Sequence, residues 1–478
     1  MKRLLIYLLP LVLMVSCVDD LEDYNIDRTR ATQVPSATLF TGAVKNLTDV
    51  LTTPNVNINN YRFYVQYWTS TQYLDEPRYN MTSRLIPQNI WQTLYRDVLA
   101  DLNEAEALVQ ADDVTPDAVK SNQMAQIEIM QVYAWSVLVN TFGDVPYSQA
   151  LDPDIALPAY DDAQTVYNSI LDSLDVAIQM INTSEEGFSD GDLLYEGQMT
   201  DWYKFGNSLK LRLAMVIADV DPEQAETLVE EAAPNVFTSN EDNAAFPYLS
   251  APPNNNPISA NLNPLFTSRQ DYVAANTLVD VMNELDDPRR QFYFTQVNGE
   301  YIGGEYGFPN TYANFSTVNP TITDPTFEAL LLDYAEVEFL LAEAVERGFD
   351  VAGTAEQHYN NGVRASILYW GGTEAEATAY LSQPEVNYNT AADDWREKIG
   401  LQKWLALYNR GFTAWVEWRR LDAPELLPPN VEGAGTLSVP TRLIYPINEQ
   451  TLNGANRAAA AAAIGGDERT TRLFWDVR

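Results

Sequence analysis

Apolar residues recur at intervals of three and four along much of the chain, which is the spacing of one buried stripe on an α-helix. The series is clearest in six segments: 91–102, 124–137, 166–181, 202–216, 330–344 and 401–415. Glycine and proline interrupt the pattern at Gly143 to Pro146, Asp221-Pro222 and Arg347-Gly348. Because these residues tend to end helices, the pattern predicts separate helices joined by short links.

Helices joined by short links pack as antiparallel pairs. Segment 326–369 fits one such pair with a glycine turn near 348–353, and it resembles a tetratricopeptide-type hairpin, although strict repeat spacing is not evident across the chain. We therefore predict a mainly α fold, with tetratricopeptide-like helix pairs, long ordered loops and a few short β-hairpins.

Three regions lack helical spacing: 52–90, 236–325 and 421–456. They are rich in Asn, Pro, Gly and aromatic residues, and 291–302 predicts a hairpin with its turn at Asn298 and Gly299. Long ordered loops on a rigid helical body commonly carry function, so these regions are where we expect a binding site.

The N-terminus has the pattern of an export signal. Met1-Lys2-Arg3 precede an apolar run over 4–15, and Ser16 comes directly before Cys17, as in a bacterial lipobox. We predict a signal peptide at 1–16, a lipidated acidic tether at 17–35 and a single helical domain at 36–478. An ordinary secretory signal and an uncleaved anchor are the alternatives.

The composition is strongly acidic. The formal net charge is −38, and loss of 1–16, which holds Lys2 and Arg3 and no acidic residue, takes it to −40. This charge argues against binding nucleic acid and against docking on anionic lipid. Cys17 is the only cysteine, so no disulfide stabilises the domain.

No motif for catalysis, a cofactor or a metal stands out. The only histidine, His358, falls within a predicted helix, and the G-x-S-x-G match at 187–191 is flanked by acidic residues, which favours a polar loop over a nucleophile elbow. Asp190, Asp192 and Glu196 favour a solvated acidic loop over a calcium site. A glycosidase needs only two carboxylates, and no pattern singles out such a pair among 67 acidic residues.

Several motifs together resemble the SusD/RagB family of nutrient-binding outer-membrane lipoproteins, in its SusD-like branch. Each motif is weak alone, but their order behind a lipobox is specific. In chain order they are Gln66-Tyr67-Trp68, Phe142-Gly143-Asp144-Val145-Pro146-Tyr147, Phe205-Gly206-Asn207-Ser208-Leu209-Lys210, Asp286-Asp287-Pro288-Arg289, Gln402-Lys403-Trp404 and Arg442-Leu443-Ile444-Tyr445-Pro446.

The resemblance implies a surface-exposed, lipid-anchored protein of the cell outer membrane that forms a lid on a SusC-type TonB-dependent transporter. It would bind an oligosaccharide or peptide nutrient and deliver it to the transporter, without cleaving it and without a cofactor. A surface glycan hydrolase or peptidase with an unrecognised carboxylate pair is the alternative. Most motif residues are expected to have structural roles. The arginines should pair with carboxylates or with the C-terminal ends of helices: Arg212, Arg419 and Arg420. The tryptophans follow helical spacing and should lie in the core: Trp404, Trp415 and Trp418.

Ligand residues vary across such a family, so the site is predicted from chemistry alone. A sugar stacks its C–H face on an aromatic ring and needs amides, carboxylates or guanidinium groups for its hydroxyls. We expect ligand contacts from Trp68, Tyr73, Arg78, Tyr79, Tyr306 and Tyr312, with Trp68 and Tyr306 as stacking surfaces and Arg78 as a polar fork. Amides at 254–256 and at Asn310 could assist. The equal alternative is that these rings pack the loops onto the helices.

Overall fold

The computed structural model describes residues 34–433 and 435–478. The predicted signal peptide, Cys17 and nearly all of the predicted tether lie outside the described residues. The helices of the first half are α1 (Ser36–Thr52), α2 (Tyr61–Tyr64), α3 (Ile86–Gln92), α4 (Ala100–Ala111), α5 (Asp117–Phe142), α6 (Ala163–Met180), α7 (Met199–Val216) and α8 (Pro222–Ala232). A π-helical stretch, Thr93–Leu99, joins α3 to α4.

The remaining helices lie in the second half of the described residues. They are α9 (Pro257–Leu262), α10 (Asn276–Glu284), α11 (Arg290–Tyr293), α12 (Tyr334–Glu346), α13 (Ala355–Tyr369), α14 (Glu374–Leu381), α15 (Trp395–Ala406), α16 (Gly411–Leu421), α17 (Ile447–Leu452) and α18 (Gly454–Ala463). Sequential helices pack against each other in pairs, as in α5 with α6 and α12 with α13. The predicted mainly α fold is confirmed.

The α12–α13 pair turns where the sequence predicted. Gly348 and Gly353 adopt φ values of 89° and 102°, which side chains rarely tolerate. His358, on α13, closes this turn: its Nδ1 lies 2.6 Å from Glu338 Oε2 and its Nε2 lies 2.8 Å from the carbonyl of Ala352. Although burial opposes it, the hydrogen bonds to Glu338 and Ala352 raise the pKa of His358.

Two of the predicted helices have different bounds in the structure. Leu330 belongs to a strand, and the helix begins only at Tyr334, because Asp333 caps it by accepting the backbone N–H of Glu336 at 2.9 Å. The stripe at 401–415 is split between α15 and α16. Asn409, with φ of 72°, lies in the turn between them.

The strands are short and pair across long sequence distances. They are β1 (Trp68–Ser70), β2 (Ala244–Phe246), β3 (Tyr272–Ala274) and β4 (Ala329–Leu332). Strand β1 is antiparallel to β3, and β2 to β4. The hairpin predicted at 291–302 is correct only at its tip, where Val297 and Glu300 pair around the turn; Phe294 pairs instead with Val318.

Buried ion pairs join the helices of the core. The Arg212 guanidinium donates to Glu336 at 2.6 Å, and Arg410 donates to Asp333 at 2.7 Å and to Glu336 at 2.8 Å. Nearby, Arg420 pairs with Glu343. These contacts connect α7, α12, α16 and the turn before α16, and they agree with the structural roles expected for Arg212 and Arg420.

The remaining motif residues are also structural. Arg419 donates to the carbonyls of Thr441 and Asn140, the latter near the C-terminus of α5, at 2.7 and 2.9 Å. Trp404 and Trp415 are buried, and Trp418 is half-buried against the core. Among residues 34–433 and 435–478, no helix is both long enough and apolar enough for a bilayer crossing.

Candidate functional site

Two adjacent cavities open where the loop regions meet, and they share one wall. The first has a volume of about 330 Å³, and the second has a volume of about 410 Å³. Arg269, Asp271 and Tyr272 line both. Because these residues line both cavities, the cavities are adjacent, and we refer to them together as the groove, with a first lobe and a second lobe on either side of the shared wall.

Tyr272 is the first residue of β3 and forms the common wall. Its ring stacks on Trp68 at a centroid distance of 5.8 Å and an interplanar angle of 25°. Its hydroxyl donates to the carbonyl of Pro54 at 3.1 Å. The pairing of β1 with β3 sets this register, because Ser70 lies opposite Tyr272. The wall is therefore held from behind by core residues.

Tyr73 and a charged pair form the first lobe. Tyr73 is 54% exposed, and the Arg84 guanidinium carbon lies 5.7 Å from the centre of its ring. Arg84 also pairs with Glu76, a buried carboxylate whose Oε2 has no hydrogen-bond partner among the described residues. Burial raises the pKa of Glu76, and the charge of Arg84 partly offsets this. The lobe thus presents an open ring and a cation, and the cation is paired with a buried carboxylate.

The second lobe combines another tyrosine with polar and apolar side chains. Tyr312 is half-buried and begins a 3₁₀ turn, Tyr312–Asn314. Asn263, Gln270 and Thr317 line the same lobe, and Leu265 is 81% exposed beside them. Rings, amides and hydroxyls in one concave surface are the groups that bind small polar ligands.

The expectation that Trp68 offers a stacking surface is wrong. Trp68 is 1% exposed, and its Nε1–H donates to the hydroxyl of Tyr408 at 3.0 Å, inside the core. The Arg62 guanidinium lies over the indole, 5.0 Å from its centre. Trp68 therefore supports Tyr272 from behind the groove and does not itself face it.

The prediction that Tyr79 and Tyr306 contact the ligand is wrong for the same reason. They are 1% and 6% exposed, and their ring centroids are 6.3 Å apart within the core. The Tyr306 hydroxyl donates to the carbonyl of Phe63 at 2.5 Å. Burial raises the pKa of Tyr79 to about 12. Neither ring has an open face for a ligand.

Arg78 lies outside both lobes. Its Nε donates to the carbonyl of Gly307 at 2.9 Å, and its guanidinium carbon lies 6.0 Å from the centre of the Phe308 ring. It therefore ties the 71–85 segment to the loop at 303–308. Of the six predicted ligand residues, the structure brings only Tyr73 and Tyr312 into the groove.

The predicted amides are mostly structural. Asn310 donates to the carbonyls of Phe308 and Glu305, and Asn256 caps α9 by accepting the backbone N–H of Ile258 at 2.7 Å. Asn255 is buried and donates to Ser259. The sequence did not single out Arg84, Arg269 and Tyr272 as groove residues, although all three lie in loop regions expected to hold the site, 52–90 and 236–325.

The acidic loop at 187–198 is not simply solvated. Asp192 is 2% exposed, and its carboxylate accepts from Trp202 Nε1 at 2.6 Å and from the backbone N–H groups of Gly197 and Leu194 at 2.9 Å each. Burial raises its pKa, and these hydrogen bonds oppose the increase. Among the described residues, no group of three His, Cys, Asp or Glu side chains is placed to hold a metal ion.

Solved structures with the same fold cover nearly the whole chain. A structure described as a chitin-binding protein is 29% identical, with a TM-score of 0.79, over 93% of this chain and 100% of that chain. A SusD homologue from Bacteroides uniformis is 27% identical, with a TM-score of 0.74, over 92% of this chain and 99% of that one. A chitin-binding SusD homologue from Flavobacterium johnsoniae has the same fold at 24% identity, with a TM-score of 0.76 and coverage of 92% and 99%.

No curated protein sequence is significantly similar to the chain. The sequence model of the SusD-like family, described as starch-binding and associating with the outer membrane, matches residues 28–446. That match spans most of the chain and agrees with the helical architecture described above. The chain therefore belongs to the SusD-like family.

Proposed function

We propose that this protein binds an oligosaccharide in the groove and passes it to a transporter in the outer membrane. The observation that carries the proposal is the arrangement of Tyr73 and Tyr312 in adjacent lobes, with the largely buried Tyr272 in the wall between them and Arg84 and Arg269 beside it. Tyrosine faces suit the C–H faces of sugar rings, and guanidinium groups suit hydroxyl and carbonyl oxygens. The family description and the chitin-binding neighbour support a glycan over a peptide.

Two lobes of this size suit a chain of sugars better than a single ring. Each has the volume of a small-molecule site, and the two lie next to each other, with Tyr272 in the wall that they share. We expect consecutive sugar rings to lie against Tyr73 and Tyr312, on either side of that residue. The aromatic contacts supply affinity, and the polar groups select orientation.

The test is titration calorimetry with N-acetylglucosamine oligosaccharides and with maltooligosaccharides. Tyr73→Ala should weaken binding of the oligosaccharide that binds, by about five- to thirtyfold, since losing an aromatic stack costs about 1–2 kcal/mol. Tyr203→Ala is the matched control, because Tyr203 is half-buried on α7 and lines neither lobe. Equal affinity of the two variants would show that the ligand binds elsewhere.

Delivery requires anchoring and a partner. We propose that Cys17 carries the lipid anchor, that the protein faces the cell exterior and that it covers a SusC-type TonB-dependent transporter. The family description, which places its members at the outer membrane, supports this part of the proposal. Because the mature chain carries about 40 net negative charges, the partner surface should be apolar or positively charged where they meet.

Hydrolysis is the other candidate reaction, and the groove does not favour it. Glu76 and Asp271 line the first lobe together, but Glu76 is paired with Arg84. Burial raises the pKa of Glu76, as a general acid requires, but its side chain is only 1% exposed, which leaves it little access to a glycosidic oxygen. Prolonged incubation with the bound oligosaccharide should return it at its original length by mass spectrometry, and shortened products would support a hydrolase.

A further inference from the structure

A second cleft, separate from the groove, has an unusual combination of side chains. It lies between the end of α11, the segment before β4 and the end of α13, and its volume is about 390 Å³. The groove and this aromatic cleft share one wall, since segment 320–324 contributes to the linings of both. The aromatic cleft is lined chiefly by Phe292, Asp324, Phe327, Glu328, Tyr369 and Trp370.

The rings of the aromatic cleft are held in place by the core. Trp370 packs edge-to-face on the buried Tyr293 at 4.7 Å, and it stacks with Phe327 at 6.0 Å and 27°. Tyr369 lies perpendicular to Trp370, at 5.6 Å. Phe292, Phe327, Tyr369 and Trp370 are all half-buried, so each retains accessible surface. Because core contacts already fix these half-buried rings, little side-chain entropy is lost when a ligand binds against them.

Two carboxylates without a cationic partner complete the cleft. Glu328 accepts the Tyr369 hydroxyl at 3.0 Å through Oε1 only. Asp324 accepts the N–H and the hydroxyl of Thr326 through Oδ1, at 2.8 and 2.6 Å, and these hydrogen bonds lower its pKa. Within the described residues, neither carboxylate forms an ion pair, and no Lys or Arg lines the cleft. Each therefore has a free oxygen and a negative charge.

We infer that the aromatic cleft is a second sugar-binding site, selective for a sugar that carries a protonated amino group. The ring face of such a sugar stacks on the aromatic wall, and its ammonium group is attracted by both the carboxylates and the aromatic faces. The groove differs in this respect, because Arg84 and Arg269 accompany its carboxylates. The inference rests on the proposed function in that it assumes a glycan as the ligand.

The experiment compares two disaccharides of equal length, one of glucosamine and one of N-acetylglucosamine. Binding is measured by calorimetry at physiological salt and at a pH where the free amine is protonated. The double variant Asp324→Asn, Glu328→Gln should weaken binding of the glucosamine disaccharide by about tenfold or more, as expected when charge-assisted hydrogen bonds are lost. It should leave the acetylated disaccharide unaffected.

A charge-matched control separates the site from general attraction. Glu104→Gln, Asp113→Asn removes the same charge from exposed positions outside the cleft, and it should change the affinity for the glucosamine disaccharide less than twofold. Equal losses in the two double variants would overturn the inference, since binding would then follow net charge alone. Phe327→Ala, accepted only if its thermal melt shows a folded protein, should also weaken binding.

The outcomes distinguish this inference from the proposed function. If Tyr73→Ala abolishes binding of both disaccharides, the groove binds both, and the inference about the cleft is wrong. If the glucosamine disaccharide depends on Asp324 and Glu328 while neither acetylated sugars nor maltooligosaccharides bind, the cleft is confirmed and the proposal for the groove fails. If neither disaccharide binds at millimolar concentration, the inference about the cleft is refuted, and the proposal for the groove is refuted as well if maltooligosaccharides also fail to bind.

Discussion

Replacing Trp68 with alanine tests whether this ring belongs to the core or to the ligand site. The indole of Trp68 stacks on the ring of Tyr272 and lies next to the Arg62 guanidinium, and its N–H donates to the Tyr408 hydroxyl. Removing a buried tryptophan costs about 3–5 kcal/mol, because apolar contacts are lost and a cavity remains. Trp68→Ala should therefore reduce the free energy of unfolding by that amount.

The corresponding change in melting temperature follows from chain length. Unfolding entropy is about 2.1 cal/mol/K per residue, so roughly 450 folded residues give about 0.9 kcal/mol/K. A loss of 3–5 kcal/mol then lowers the melting temperature by about 3–5 °C. Trp68→Phe keeps a ring under Tyr272 but loses the hydrogen bond to Tyr408, which is worth about 1 kcal/mol, so its decrease should be smaller.

The assay is scanning calorimetry combined with oligosaccharide titration. Tyr73→Ala serves as the comparison, because its side chain is 54% exposed and such surface changes alter stability by about 0.5 kcal/mol or less. Tyr73→Ala should keep the parental melt and lose affinity. If Trp68→Ala instead melts within about 1 °C of the parent and loses affinity, the reasoning from burial is refuted.

Four further predictions concern acid stability, anchoring, assembly and turnover. Although burial favours its neutral form, the charges of Arg420 and Lys403 lower the pKa of Glu417 from about 4.5 to about 2. The stabilising contribution of the Glu417 carboxylate is then full above about pH 4.5 and is lost as the pH falls towards 2. Glu417→Gln should therefore destabilise the protein at pH 7, and its free energy of unfolding, measured by chemical denaturation, should depend less on acid pH. An unchanged acid profile would contradict this. Cys17→Ala should move the protein from the outer-membrane fraction to the soluble fraction, and retention in the membrane would exclude lipidation there as the anchor. A TonB-dependent transporter should co-purify from gently solubilised membranes in moderate salt, whereas recovery of the protein alone would count against the complex. Oligosaccharides should remain at full length after prolonged incubation.

Local sequence determined the helical part of this protein. The three- and four-residue apolar spacing predicted the helices that the structure contains at Asp117–Phe142, Ala163–Met180 and Met199–Val216, because helix formation depends on residues one turn apart. The glycine turn before α13 was predictable for the same reason, since a positive φ is a local requirement. The order of weak motifs indicated the SusD-like family, which the sequence model confirms.

Only the tertiary structure decided which aromatic rings face solvent. Trp68 and Tyr73 are five residues apart in one polar segment, yet the first is 1% exposed and the second 54%. The difference arises because β1 pairs with β3, about 200 residues later, and that pairing places Tyr272 over the indole. Arg84 and Arg269 line the same lobe, although they lie in segments that are far apart in the sequence. Burial in loop regions depends on contacts between such distant segments, and local periodicity carries no information about them.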